Sequence, residues 1–215
     1  MTIFKKNKWT ASAFLLLAFI LWTVAIKQID IQAIGPNSSE VGFATLNQFI
    51  HNLTGVHFAL YTLTDLLSVI PIGFVLYFAA VGLYQLVTRK SILKVDQSIL
   101  TLGFFYVLVI GTFLFFELIV INYRPVLIEG VLEASYPSST TMLVLCVMPT
   151  AWMQLKQRIH TPSLNHATHF ILNVFTAFMV IARLISGVHW FTDIVGGMLI
   201  SATLVFAYKA IANQK

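Results

Sequence analysis

The chain has 215 residues, 58% of them hydrophobic and only 10% charged, with a mean hydropathy of +0.86. Too little charge is present to hydrate the surface of a soluble domain of this length, so composition excludes an ordinary globular enzyme and points to a polytopic membrane protein. The formal charge of +5 raises nucleic acid as a partner, and the placement of the basic residues removes it.

Six stretches approach the about 20 apolar residues that a spanning helix needs: Trp9–Ile26, Leu66–Val87, Ile99–Ile121, Ser138–Leu155, Ala167–Ile185 and Phe191–Ala210. The expected fold is all-α, a single domain over residues 1–215 with six transmembrane helices. The first stretch follows Lys5, Lys6 and Lys8 as a signal peptide would, but "AIKQID" is a poor small-residue cleavage site, so it reads as a retained helix. The fourth is short and polar at its start, which predicts an end buried against protein rather than lipid. With the N-terminus cytoplasmic, the inner segments hold Lys5, Lys6, Lys8, Arg89, Lys90, Lys94, Lys156, Arg158, Lys209 and Lys215, and the outer ones only Lys27, Arg124 and Arg183. Ten against three orients both termini to the cytoplasm. It also accounts for the positive charge without nucleic acid. The outer segment 27–64 contains "VGFATLNQFIHNLTG", with apolar residues near helical spacing, and predicts an amphipathic helix along the interface. The lone Cys146 lies in an apolar run; it excludes an intramolecular disulfide and thiolate clusters and reads as packing.

The chemistry gathers on the outer side. "INYRPVLIEGVLEASYPSST" joins the third and fourth stretches there, and "ARLISGVHWFTDIVGG" joins the fifth and sixth, so Arg124, Arg183, His189 and Asp193 can meet at one depth. Ionisable groups at such a place are functional candidates by default. His189 and Asp193, four apart near a helix start, share one face with Cβ atoms about 6 Å apart. A carboxylate accepting from one imidazole nitrogen fixes the tautomer and frees the other to attack. Arg124 and Arg183 offer planar forks for phosphate oxygens. Ser138, Ser139 and Thr140 open a helix whose free N–H groups favour an anion. The reaction that fits is phosphoryl transfer through a phosphohistidine, resting on positioning and charge stabilisation. His166 and His169, three apart, have metal-ligand spacing but no accompanying carboxylate or cysteine, so no metal or other cofactor is expected.

These residues resemble the motifs of the type-2 phosphatidic-acid phosphatase superfamily: Lys, six residues, Arg-Pro; Pro-Ser-Gly-His; and Ser-Arg, five residues, His, three residues, Asp. Here "ELIVINYRP" supplies Arg124-Pro125, "PSST" supplies Pro137 to Thr140, and "ARLISGVHWFTD" supplies Arg183, His189 and Asp193. The resemblance covers the third to sixth helices. It implies His189 as nucleophile, Asp193 as its orienting partner, and Arg124, Arg183 and Ser138 as phosphate ligands. Glu117 occupies the motif Lys position, Ser139 the Gly, Ala182 the Ser, and Thr140 the second motif's His. In the family that His protonates the leaving oxygen, which a threonine hydroxyl cannot do near neutral pH. Its loss favours a diphosphate, whose leaving phosphate needs less proton help than an alkoxide. Glu117 can supply an acid or hold Arg124 as an ion pair, with pairing expected because a nearby guanidinium keeps a carboxylate ionised. Glu129, Glu133, Tyr123, Tyr136, His51 and His57 are further acid candidates.

The expected function is therefore a membrane lipid-phosphate phosphatase of the plasma membrane. Its active site faces outward, and its substrate is a polyprenyl diphosphate or a phosphatidyl phosphate. A lipid-to-lipid phosphotransferase and a non-catalytic lipid-phosphate binder or transporter are the alternatives. The only expected partners are the lipid phosphate and membrane lipids.

Overall fold

A computed structural model of the chain describes residues 3–212, with side chains from residue 7; the side chains of Lys5, Lys6 and Lys215 lie outside the described residues. The helices are α1 (Ile3–Ile26), α2 (Ala44–Thr54), α3 (Phe58–Leu67), α4 (Val69–Arg89), α5 (Gln97–Leu118), α6 (Ser139–Lys156), α7 (Pro162–Ile185) and α8 (Phe191–Ala212). Among the described residues β-structure is confined to isolated bridges, so the all-α expectation holds.

Among the described residues five segments are long and apolar enough to cross a bilayer: Asn7–Ile26, Phe58–Arg89, Gln97–Leu118, Pro162–Ile185 and Phe191–Ala212. The second is longer than the sequence suggested because α3 and α4 run into one another at Ser68, whose Oγ donates to the Thr64 carbonyl at 2.9 Å. Its 32 residues exceed what a hydrocarbon core of about 30 Å accommodates upright, so part of it tilts or stands clear. The fourth stretch is helical too, but α6 is the core of the bundle rather than a lipid-facing span. Thr140, Thr141, Met142, Val144, Cys146, Val147 and Met148 on it are buried. Two of its polar side chains find partners inside the protein. Thr150 Oγ1 donates to the Cys146 carbonyl at 2.8 Å. Gln154 Nε2 reaches the Tyr208 hydroxyl at 3.0 Å and the Ser98 carbonyl at 3.2 Å. Helix α1 packs along α8, where Ser12 Oγ donates to the Thr203 carbonyl at 2.9 Å and Trp22 Nε1 to the Thr192 carbonyl at 3.2 Å.

Two connections shape one end of the bundle. Between α5 and α6 the chain makes a hairpin, with Arg124 N–H donating to the Glu133 carbonyl (3.0 Å) and Ile128 and Val131 exchanging bonds at 3.1 and 2.8 Å. Glu129 and Gly130 turn it with φ of 49° and 80°, the double left-handed turn that matches strand twist and favours glycine. The second connection is residues 27–64, whose helix α2 lies where an amphipathic helix was expected. Phe49 and Leu53 are exposed, whereas Asn47 is fully buried. Asn47 Nδ2 donates to the Gly42 carbonyl (2.8 Å) and Thr192 Oγ1 (3.0 Å), while Asn47 Oδ1 accepts the Thr192 N–H at 3.2 Å. One side chain thus clamps α2 to the start of α8. Beside it, His57 N–H donates to the Ser186 carbonyl at 2.9 Å. Gly187, at φ 68°, sits so close to Gly55 that a Cβ would lie 1.9 Å from its carbonyl oxygen. Only glycine fits both the conformation and the approach.

Candidate active site

His189 lies in the turn between α7 and α8 and is almost fully buried. Its Nδ1 is 3.1 Å from the Ser135 carbonyl on the hairpin. A carbonyl only accepts, so this bond requires the proton on Nδ1 and leaves the Nε2 lone pair free. That lone pair faces Arg124, whose Nη1 is 3.4 Å away. Burial lowers the His189 pKa well below its ordinary 6.5, and the charges of Arg124 and Arg183 push it the same way. The ring is neutral at neutral pH, the state a nucleophile needs.

Asp193 stands differently from expectation. Its Oδ2 is 3.8 Å from His189 Nδ1, beyond hydrogen bonding. Instead the carboxylate accepts from the Trp190 N–H at 2.9 Å and from Asn122 Nδ2 at 3.1 Å. The Ser135 carbonyl orients the imidazole, and Asp193 holds the turn that carries it.

The two arginines share a neighbour that sequence reading missed. The Tyr61 ring on α3 lies 4.6 Å from the Arg183 guanidinium carbon and 5.9 Å from that of Arg124, within cation–π range. Arg183 Nη1 donates to Thr64 Oγ1 at 3.1 Å, and Nη2 is 3.7 Å from Asp65 Oδ1. Arg124 Nε is 3.0 Å from Glu133 Oε2, in ion-pair rather than hydrogen-bond geometry. The expected Glu117–Arg124 pair does not form, because Glu133, nine residues on along the hairpin, lies across from Arg124. Glu117 is exposed at the end of α5 and borders a narrow cavity with Ser135, Ser139 and His189. Arg124 Nε, Arg183 Nε and Ser138 Oγ are buried without a hydrogen-bond partner. Unpaired buried donors are rare and call for an explanation. Ser138 also donates its N–H to the Asp193 carbonyl at 3.1 Å, which ties the start of α6 to the start of α8.

Thr140 faces a groove of about 350 Å³ between α4, α5 and α6, shared with Asp65, Ser68, Ile110 and Ser139. Ser139 borders both this groove and the cavity at His189. Of the other acid candidates, Glu129 sits at the hairpin turn and His57 is exposed with Nε2 2.8 Å from the Thr54 carbonyl. His51 packs on Trp190 at 5.4 Å, where burial lowers its pKa. Burial raises that of Tyr136, whose hydroxyl pairs with Thr23 Oγ1 at 2.7 Å. Both shifts make poorer proton donors near neutral pH. Tyr61, Thr64 and Asp65 carried one readable signal: Asp65 is a carboxylate inside an apolar stretch. Asn47, Asn122 and Ser135 carried none.

No curated protein sequence matches the chain. The crystal structure of a transmembrane PAP2 type phosphatidylglycerolphosphate phosphatase from Bacillus subtilis is similar to it, at 20% identity over 93% of this chain and 94% of that one, with a TM-score of 0.58. The likeness extends the shared fold over nearly the whole chain. The sequence profile of the PAP2 superfamily matches residues 71–215, well over half of the chain and the part that supplies Arg124, Ser138, Arg183, His189 and Asp193. This chain belongs to the PAP2 superfamily.

Proposed function

We propose that the protein is an integral membrane lipid-phosphate phosphatase that works through a phosphohistidine on His189. Membership of the family supports the phosphatase and the apolar helices support the membrane; the single observation that carries the mechanism is Arg124 Nη1 at 3.4 Å from His189 Nε2. A phosphate bound by Arg124, Arg183 and Ser138 meets that lone pair. Nε2 bonds to phosphorus while the bond to the leaving oxygen breaks. The phosphorylated ring is cationic, and the Asp193 carboxylate 3.8 Å from Nδ1 stabilises it. Water then attacks phosphorus, releasing phosphate and restoring His189. The substrate tail lies in the apolar groove that begins at Asp65, Ser139 and Thr140.

Thr140 supplies no acid, so the preferred substrate is a lipid diphosphate such as a polyprenyl diphosphate, whose leaving group is the lipid monophosphate rather than an alkoxide. Glu117, which borders the His189 cavity, is the reserve proton donor. The charge distribution supports six crossings, with α6 as the protein-covered one, both termini cytoplasmic and the site at the outer face of the plasma membrane. Phosphate release from a panel of lipid mono- and diphosphates tests the reading: diphosphates should turn over faster, and His189→Ala should abolish release. A wild-type protein that binds these lipids without releasing phosphate would instead fit a non-catalytic binder, the reading that the missing histidine at Thr140 favours.

A further inference from the structure

Helix α6 runs away from the candidate active site, and over its second half α6, α7 and α8 enclose another cavity of about 270 Å³. Trp152, His169, Asn173 and Lys209 line it, with Met148 and Pro149 at its apolar wall. Trp152 Nε1, a donor only, is buried there without a partner. Its ring lies against His169, with centroids 4.2 Å apart, and Lys156 Nζ is 5.0 Å from the same ring. His169 and Asn173 are four apart on α7, share one face and are exposed. Lys8 adds its charge to that of Lys209. Among the described residues neither Lys8, Lys156 nor Lys209 has a carboxylate partner, and no acid lines the cavity.

Hydrocarbon cannot satisfy an amide, an indole N–H and an ammonium, so lipid tails alone are a costly filling. The set is rich in donors and positive, which suits an oxyanion with several acceptor atoms. Basic pockets between spanning helices take lipid headgroups in this way. We propose that this cavity is a second, non-catalytic phosphate site, which takes the phosphate of an anionic phospholipid from the leaflet opposite the one that feeds His189. Its place between the spanning helices α7 and α8 favours that source over free phosphate, which has the same chemistry. Trp152 and Asn173 donate to the phosphate oxygens, Lys209 and Lys8 neutralise the charge, and the methionine-lined wall covers the glycerol end.

Native mass spectrometry of the detergent-purified protein tests this. All forms carry Arg124→Ala, so that the catalytic site does not hold phosphate. Phosphatidylglycerol, a diester, should be retained in preference to phosphatidylcholine. Combining Lys209→Gln with Asn173→Leu should lower that retention about fivefold, as expected for one Lys near a headgroup, whereas Lys209→Arg should keep it. Outside the Arg124→Ala background, Lys209→Gln should leave lipid-phosphate release unchanged, which shows that the fold is intact. Equal retention of the two lipids, or retention indifferent to the double substitution, would overturn the site. An inorganic phosphate adduct that forms while phosphatidylglycerol is not retained would overturn the lipid assignment.

Discussion

At His189 the proton on Nδ1 is committed to the Ser135 carbonyl, and burial with two arginines keeps the ring neutral. Two outcomes follow. The reactive form is the deprotonated ring, and its pKa lies below 6.5. The ratio kcat/KM should therefore stay level as pH falls from neutral through 6.5, with the acid limb lower still; a limb centred at or above 6.5 would contradict it. Arg124 presents a fork toward phosphate and Nε2 that an ammonium cannot reproduce. Arg124→Lys should lower kcat/KM roughly 10- to 100-fold, or about 1.4–2.7 kcal/mol of transition-state stabilisation, measured as lipid-phosphate release. That Arg124, Arg183, Ser138 and His189 gather at one end of the bundle was legible from charge placed against the topological bias and from motif spacing. The partners of His189 and Arg124 were not. Ser135 acts through a backbone carbonyl, which every residue has, and Glu133 reaches Arg124 only because the hairpin folds back nine residues after it. Spacing along a helix, the basis for expecting Glu117, says nothing about pairing across a hairpin.

The elements that hold the turn between α7 and α8 come from sequence-distant parts. Asn47 on α2 bonds both the N–H and the hydroxyl of Thr192, so Asn47→Leu strands a buried N–H at the first turn of α8. That should cost about 1–3 kcal/mol and lower the detergent-solubilised Tm, with phosphate release falling as the turn loosens. Unchanged Tm and activity would remove α2 from the support of the site. Gly187→Ala strains a left-handed φ and drives a methyl into the Gly55 carbonyl two residues before His189. It should reduce both Tm and kcat, whereas alanine at Gly111, where no heavy atom lies within 4 Å, should reduce neither. The helical periods of α1, α4, α5, α7 and α8 were plain because lipid makes their apolar runs long. The burial of α6 was visible only as shortness and polarity. The break at Ser68 had a readable cause in "LLSVIP", where Pro71 has no N–H to donate to the Leu67 carbonyl.

The molecule joins a lipid-facing bundle to a polar cap at one end, built from the hairpin and residues 27–64. In the proposed orientation that cap faces outside. With Cys146→Ser as background, a membrane-impermeant thiol reagent on intact cells should label Val131→Cys on the hairpin. Leu93→Cys, in the exposed connection between α4 and α5, should react only after permeabilisation. The reverse pattern would invert the topology. The central claim is that the cap delivers a lipid phosphate to His189 Nε2. Its most direct test is rapid acid-free quenching of the protein with a lipid diphosphate carrying a labelled terminal phosphate. The account predicts label on the protein that survives base, is lost in acid and is absent from His189→Ala. Turnover at the wild-type rate in His189→Ala, or label that persists in that variant, would contradict it.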